Sequence, residues 1–120
     1  MDKKQEKRPQ KFSGEIEKDI QAVKKILPAE DIFVYRFVTK DGKTCASVYA
    51  DGITDKELLG EMAAKPLSLA DAPKTAEEAK KMLYFPETKP AEDLQTACNE
   101  ILAGNPLLLI DGIAEGIVLG

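Results

Sequence analysis

The 120 residues contain no histidine and no tryptophan, and cysteine occurs only twice. Without histidine the commonest general base and the commonest metal ligand are both missing, so acid–base catalysis would have to rest on carboxylates. Two cysteines, Cys45 and Cys98, are too few for a disulfide framework, and neither has a CxxC neighbour. Both are expected to be reduced and unbridged, in a thiol-preserving compartment. No apolar run reaches the roughly 20 residues a membrane helix needs. The most apolar stretch, LLLIDGIAEGIVLG at 107–120, is interrupted by Asp111, Gly112, Glu115 and Gly116. No apolar segment follows the charged residues 1–11, which predicts no secretory leader there. Neither GxGxxG nor GxxxxGK[ST] occurs, so no phosphate cradle is recognisable.

Charge is plentiful and unevenly placed. Residues 1–13 carry five basic side chains (Lys3, Lys4, Lys7, Arg8, Lys11) against Asp2 and Glu6, within a chain of net charge −4. The composition of 1–13 predicts a disordered basic tail. The acidic remainder, with three Tyr and four Phe, argues against general nucleic-acid binding. The length suits one domain able to bury about two-thirds of its unfolded surface without staples.

Periodicity supplies the elements. Ile16, Ile20, Val23 and Leu27 recur at helical spacing, with Ser13 as a candidate N-cap and Pro28 closing the run. Two β-rich runs, 32–38 and 44–50, flank Asp41-Gly42, the dipeptide suited to a two-residue type I′ hairpin turn. That turn pairs Val38 with Cys45, Phe37 with Ala46 and Tyr35 with Val48. It places Phe33, Tyr35, Phe37, Ala46, Val48 and Ala50 on one face, the better core face. Thr54 to Glu57 and Thr75 to Glu78 read as capping boxes, the first opening a short helix to about Ala64, the second a helix to about Leu83 before Pro86. Between them KPLSLADAPK is expected to break regular structure at both prolines while Leu67 and Leu69 dip into the core. A further helix is expected with Pro90 in its first turn, Leu94, Ala97, Cys98, Ile101 and Leu102 on one stripe, and Gly104 at C′. Leu107–Ile110 and 116–119 then form a second hairpin. The fold expected is α/β (α+β): a mixed four-stranded sheet made of two hairpins, packed with about four helices. The pattern leaves strand order open, and a core strand pair running out to Gly120 predicts that the native chain continues.

Few residues offer chemistry. Asp51 and Asp111 each follow an apolar strand and precede a glycine, a placement in which a pair of acids can bind a cation, although Asp-Gly is also the commonest exit from a strand. Cys45 and Cys98 sit in apolar runs, where free cysteine is usually inert packing. Tyr35 and Tyr49 belong to an aromatic strip that either lines a pocket or is plain core. No catalytic, metal-binding or cofactor-binding residue is assigned, no cofactor is expected, and ligand-binding residues stay unknown.

Two stretches nevertheless carry a resemblance. DIFVYRFV leading to SVYADGITDKELL (31–38 and 47–59) resembles the opening of the spore germinant receptor A-subunit family, the GerA family, where a hairpin ends in Tyr-x-Asp-Gly before a helix. NEILAGNPLLLIDGIAEGIVLG (99–120) is similar to that family's later helix, glycine, apolar strand, Asp-Gly and second strand. Order and separation also match, over roughly residues 14–120. The resemblance implies that 14–120 is the first N-terminal α/β subdomain of a larger membrane protein. Its second subdomain and membrane helices would follow beyond Gly120. The implied function is nutrient-signal transduction by a non-enzymatic receptor subunit, assembled with B and C subunits and with copies of itself. It would sit in the spore inner membrane, with this region on the cytosolic, spore-core side. The stage V sporulation branch of the family looks the same over this span. A stand-alone small-molecule binding or protein-interaction domain is the alternative.

Overall fold

The computed structural model describes residues 10–27, 30–52, 56–85 and 87–120. Residues 1–9 of the basic tail, Pro28, Thr54 of the first capping box, and Pro86 lie outside the described residues; residues 10–13 are not the disordered tail expected, since Phe12 is buried in the core and Leu94 N bonds Gln10 O at 2.8 Å. Among the described residues nine elements follow in order: α1 (Ile16–Ile26), β1 (Ile32–Val38), β2 (Thr44–Ala50), the helical run α2, α3 (Ala76–Met82), β3 (Thr88–Ala91), α4 (Leu94–Leu102), β4 (Leu107–Ile110) and β5 (Gly116–Leu119). The run α2 joins two short α-helical pieces, Lys56–Leu59 and Lys65–Ser68, through a π turn at Gly60–Ala64.

The strands form one sheet in the order β1-β2-β4-β5-β3, every neighbouring pair antiparallel. The α+β class and both hairpins are as the sequence predicts, and the hairpins meet through β2 and β4, Cys45 pairing with Ile110 and Val48 with Leu107. The sheet is nevertheless wholly antiparallel and has a fifth strand. Residues 88–91, expected to run into the start of α4, instead pair with β5. Pro90 sits in that edge strand, where a missing N–H is tolerated, and α4 begins four residues later with the Asp93 carboxylate accepting from Thr96 N at 2.8 Å. At its other end α4 closes as foreseen around Gly104, with Gly104 N and Asn105 N donating to Ile101 O and Glu100 O.

The first hairpin is shifted by one residue from the expected register. Phe37 pairs with Cys45, Tyr35 with Ser47 and Phe33 with Tyr49. Gly42 has φ +88°, but no non-glycine among the described residues has positive φ, so Asp41 cannot supply the first half of a type I′ turn. The loop instead spans three residues, a type I-like turn completed by Gly42 in the left-handed region, held by Gly42 N to Thr39 O and Thr39 N to Lys43 O, each 2.9 Å. Because side chains alternate along a strand, the slip moves Phe33, Tyr35 and Phe37 away from Ala46, Val48 and Ala50 onto the face of Cys45, Ser47 and Tyr49.

Helices cover both faces. On one, α1 and α4 bury Ile16, Ile20, Val23, Leu94, Ala97 and Ile101 against Val48, Leu107 and Leu109. On the other, α2 and α3 bury Leu59, Ala63, Leu67 and Ala79 against Leu108, Ile110 and Ile117. Pro66 does not break α2 as expected. Its missing N–H leaves the Met62 carbonyl without its helical donor, and Tyr84 N supplies one at 3.1 Å. The π turn just before it, with Lys65 N bonding Gly60 O, takes up the proline's bulk within the helix. Leu67 is buried as expected, whereas Leu69 is 70% exposed. Ser13 does not cap α1, whose N-cap is Glu15.

Gly116 opens β5 where no side chain fits: a Cβ there would lie 2.6 Å from Leu107 Cδ1 and 3.0 Å from Phe12 Cζ, both in buried residues. Gly116→Ala should therefore destabilise the fold by about 1–3 kcal/mol through overpacking, read as a lower urea midpoint at unchanged slope.

Candidate functional site

The fold separates the two acids singled out by sequence. Asp51 follows β2 at one end, its N–H bonded to Asp31 O at 2.8 Å, while Asp111 lies at the other end, its N–H bonded to Thr44 O at 2.9 Å. The length of β2 sets them roughly 20 Å apart, too far to share a cation. Asp111 has structural work there: its carboxylate accepts from Ile16 N at 3.0 Å and so caps α1 from a distant part of the chain. Gly112 N donates to Gly14 O at 2.7 Å in the same corner. The buried Asp19 carboxylate completes it, accepting from Ser13 N, Ser13 Oγ and Gly14 N at 2.8–3.1 Å.

Other carboxylates are similarly engaged. Asp41 accepts from Thr39 Oγ1 and Ala72 N, which hold it below the usual carboxylate range. Asp93 is lowered first by the Thr96 N–H, and Glu100 by Lys89 and then Asn105. An open cleft of about 290 Å³ lies beside Asp41, Lys43, Lys74 and Asp111, but both acids in its wall already hold backbone N–H groups, Asp41 that of Ala72 and Asp111 that of Ile16. Among the described residues no cluster of three or more His, Cys, Asp or Glu side chains gathers to hold a metal.

Cys45 and Cys98 are free and buried. They belong to the cores on opposite faces of the sheet, so the sheet itself separates them. Burial first, then Asp111 and Asp41, pushes the Cys45 thiol up to about 12, and burial alone pushes Cys98 up to about 11. Neither is a nucleophile at neutral pH.

Tyr35 and Tyr49 do come together, because the shifted register places them on the same face. With Leu59 and Gly60 they line a cleft of about 280 Å³ between the outer face of the first hairpin and α2. Each tyrosine has an aromatic neighbour on the same face: Phe33 and Tyr49 lie 6.2 Å apart in a tilted pair, and Tyr35 and Phe37 lie 5.9 Å apart with their planes 27° from parallel. Gly60, with open space where a Cβ would stand, leaves the gap in the helical cover. Ser47, opposite Tyr35 in the ladder, is fully buried, and its hydroxyl has no hydrogen-bond partner among the described residues. The lining offers aromatic faces and two phenols but no carboxylate and no cation, which suits it to packing an apolar or aromatic group. Gly60 and Ser47 escaped sequence reasoning; a glycine inside a helical pattern was the one available signal.

A sequence model of the family described as Bacillus/Clostridium GerA spore germination protein matches residues 19–120. The fold is similar to the crystal structure of the N-terminal domain of the A subunit of the Bacillus megaterium spore germinant receptor GerK3. That match has a TM-score of 0.69 at 17% identity and covers 91% of this chain and 94% of that one. No curated protein sequence matches the chain.

The charge arrangement fixes how stability should vary with pH. The depressed carboxylates Asp41, Asp93 and Glu100 stabilise the fold above the ordinary carboxylate range, a contribution lost as pH falls below about 4. The raised thiols do the reverse: their contribution is complete below their ordinary 9.0 and is lost as pH climbs toward 11 and 12. Denaturant midpoints should be flat between these limits and fall at both ends. A thiol reagent at neutral pH should modify both cysteines only after unfolding.

Proposed function

The chain belongs to the Bacillus/Clostridium GerA spore germination protein family, and from that premise we propose that it forms the first N-terminal subdomain of a germinant receptor A subunit. The observation that carries this reading is the family match over residues 19–120, and the fold shared with the N-terminal domain of another receptor's A subunit supports it. The proposed role is non-enzymatic. The subdomain packs against a second subdomain and against other subunits, including B and C partners and further copies of the same subunit. Through that assembly it helps convert a nutrient signal into germination at the spore inner membrane, with this region on the spore-core side. No helix among the described residues is long and apolar enough to cross a membrane. The engagement of Asp111 and Asp93 in helix caps, of Asp41 in a loop hydrogen bond and of Glu100 in an ion pair suits a part that transmits force or position rather than one that performs chemistry.

Leu109→Pro in the full-length gene tests the reading. Leu109 is 2% exposed in β4, between β2 and β5, and the bond from Asp111 N to Thr44 O sets the alternation by which Leu109 N donates to its partner Ala46. Proline there deletes a central ladder bond and should cost about 3 kcal/mol or more. Spores should still form, since a germinant receptor acts only afterwards. They should lose or blunt their response to the cognate nutrient while germinating normally through other receptors. A block in spore formation would point to a sporulation role instead, and an unchanged nutrient response despite lost receptor would overturn the assignment.

A further inference from the structure

The sheet's two edges are built differently. At one end β3 has four residues and contains Pro90, and Lys89 is held by Glu100 at 2.9 Å, devices that discourage a further strand. At the other end β1 has seven residues, no proline and no bulge, and three of its apolar side chains are exposed: Phe33 by 40%, Tyr35 by 50% and Val38 by 53%. Among the described residues it pairs only with β2. Such an edge is a template for another strand.

The ladder shows which groups face outward. Asp51 N bonds Asp31 O and Thr39 N bonds Lys43 O, so odd-numbered residues of β1 direct their backbone groups at β2. Ile32, Val34, Arg36 and Val38 therefore turn their N–H and C=O groups to the free edge. The edge ends at Lys40, whose N–H is already taken by Ala70 O at 2.9 Å.

We propose that β1 is the surface through which two copies of this chain associate, running antiparallel about a two-fold axis at Tyr35. The sequence IFVYRFV is self-complementary in that arrangement. Val34 and Arg36 exchange hydrogen bonds with Arg36 and Val34 of the second copy, and Ile32 and Val38 do so with its Val38 and Ile32. The closely spaced positions between them carry Phe33 against Phe37 and Tyr35 against its own symmetry mate, so aromatic side chains meet where cross-strand contact is tightest. One step beyond the ladder the same register places Glu30 opposite Lys40 at each end, which makes the contact complementary in charge as well. Moving the register by two residues would misalign both the aromatic pairs and these charges. The contact is isologous and closes as a pair. It deepens the self-association in the receptor reading by naming a surface, but its argument rests on β1 alone.

Analytical ultracentrifugation of the 120-residue protein over a wide concentration range tests it. The mass should rise from monomer to dimer and stop there. Val34→Pro removes an outward N–H that the β1–β2 ladder does not use, so its far-UV spectrum should match the parent while dimerisation weakens at least about tenfold; its melting temperature should fall modestly, because the Val34 side chain also packs against the core. Should that variant fail to fold, Tyr35→Lys replaces a half-exposed side chain and sets two like charges together on the axis, with the same expected loss. Tyr35→Cys supplies the register: the two sulfurs meet at a closely spaced pair, within disulfide reach, and should cross-link under mild oxidation. Arg36→Cys should not. A monomer at all concentrations, a dimer unaffected by Val34→Pro or Tyr35→Lys, or equal cross-linking at residues 35 and 36 would overturn the proposal. The receptor reading fails separately, in spores with Leu109→Pro, so the two failures are distinguishable.

Discussion

The fold depends on the pairing of β2 with β4. It joins two hairpins that lie more than fifty residues apart in sequence, and it makes β4 the central strand of five. A central strand between two helical layers needs apolar side chains in both directions, which is why Leu107–Ile110 is buried at every position. The same pairing brings Asp111 level with Thr44 at the corner where α1 begins, so the carboxylate reaches Ile16 N and the helix is capped by the sheet it covers. Sheet and helix thus fix each other: loosening the β2–β4 register would move the cap, and losing the cap would free the end of α1.

The strands of both hairpins were legible because each carries a continuous β-rich or apolar run, and the α4 terminus was legible because Gly104 is a local signal. What sequence reasoning missed depends on partners that are distant in the chain. Nothing within Thr88–Ala91 marks a strand, and Pro90 argues against one; the strand exists because β5 offers an edge. Pro66 should end a helix by local rules, and it fails to do so because Tyr84 N reaches the carbonyl it orphans. The hairpin register turned on one backbone angle, since Asp41-Gly42 serves a two-residue or a three-residue loop with only Gly42 in the left-handed region deciding between them.

That single slip also governed what could be read of the site. In the expected register Tyr35 and Tyr49 lie on opposite faces and cannot form one cleft. In the observed register they share a face with Phe33 and Phe37, and the aromatic strip lies where α2 covers it only in part. The sequence therefore named the right aromatic residues but gave no means of placing them together. The acids were misleading in the opposite sense: Asp51 and Asp111 look equivalent in sequence, and only the topology shows that they stand at opposite ends of β2.

A likeness in fold at 17% identity asks what has to stay when most side chains differ. An antiparallel sheet between helices tolerates exchange of one apolar residue for another as long as alternation and volume are kept, which lets sequences drift far within one architecture. An active site would not drift so freely, because it requires particular groups at particular distances. This chain has no histidine, its thiols are buried and protonated, and the carboxylates at its best-formed corner hold backbone N–H groups, Asp111 at the start of α1 and Asp19 in the loop before it. What the fold does present is a partly covered aromatic cleft on one hairpin and, next to it, an edge strand with its hydrogen-bonding groups directed outward. The proposed packing role draws on those surfaces and on a rigid centre, which the β2–β4 junction supplies.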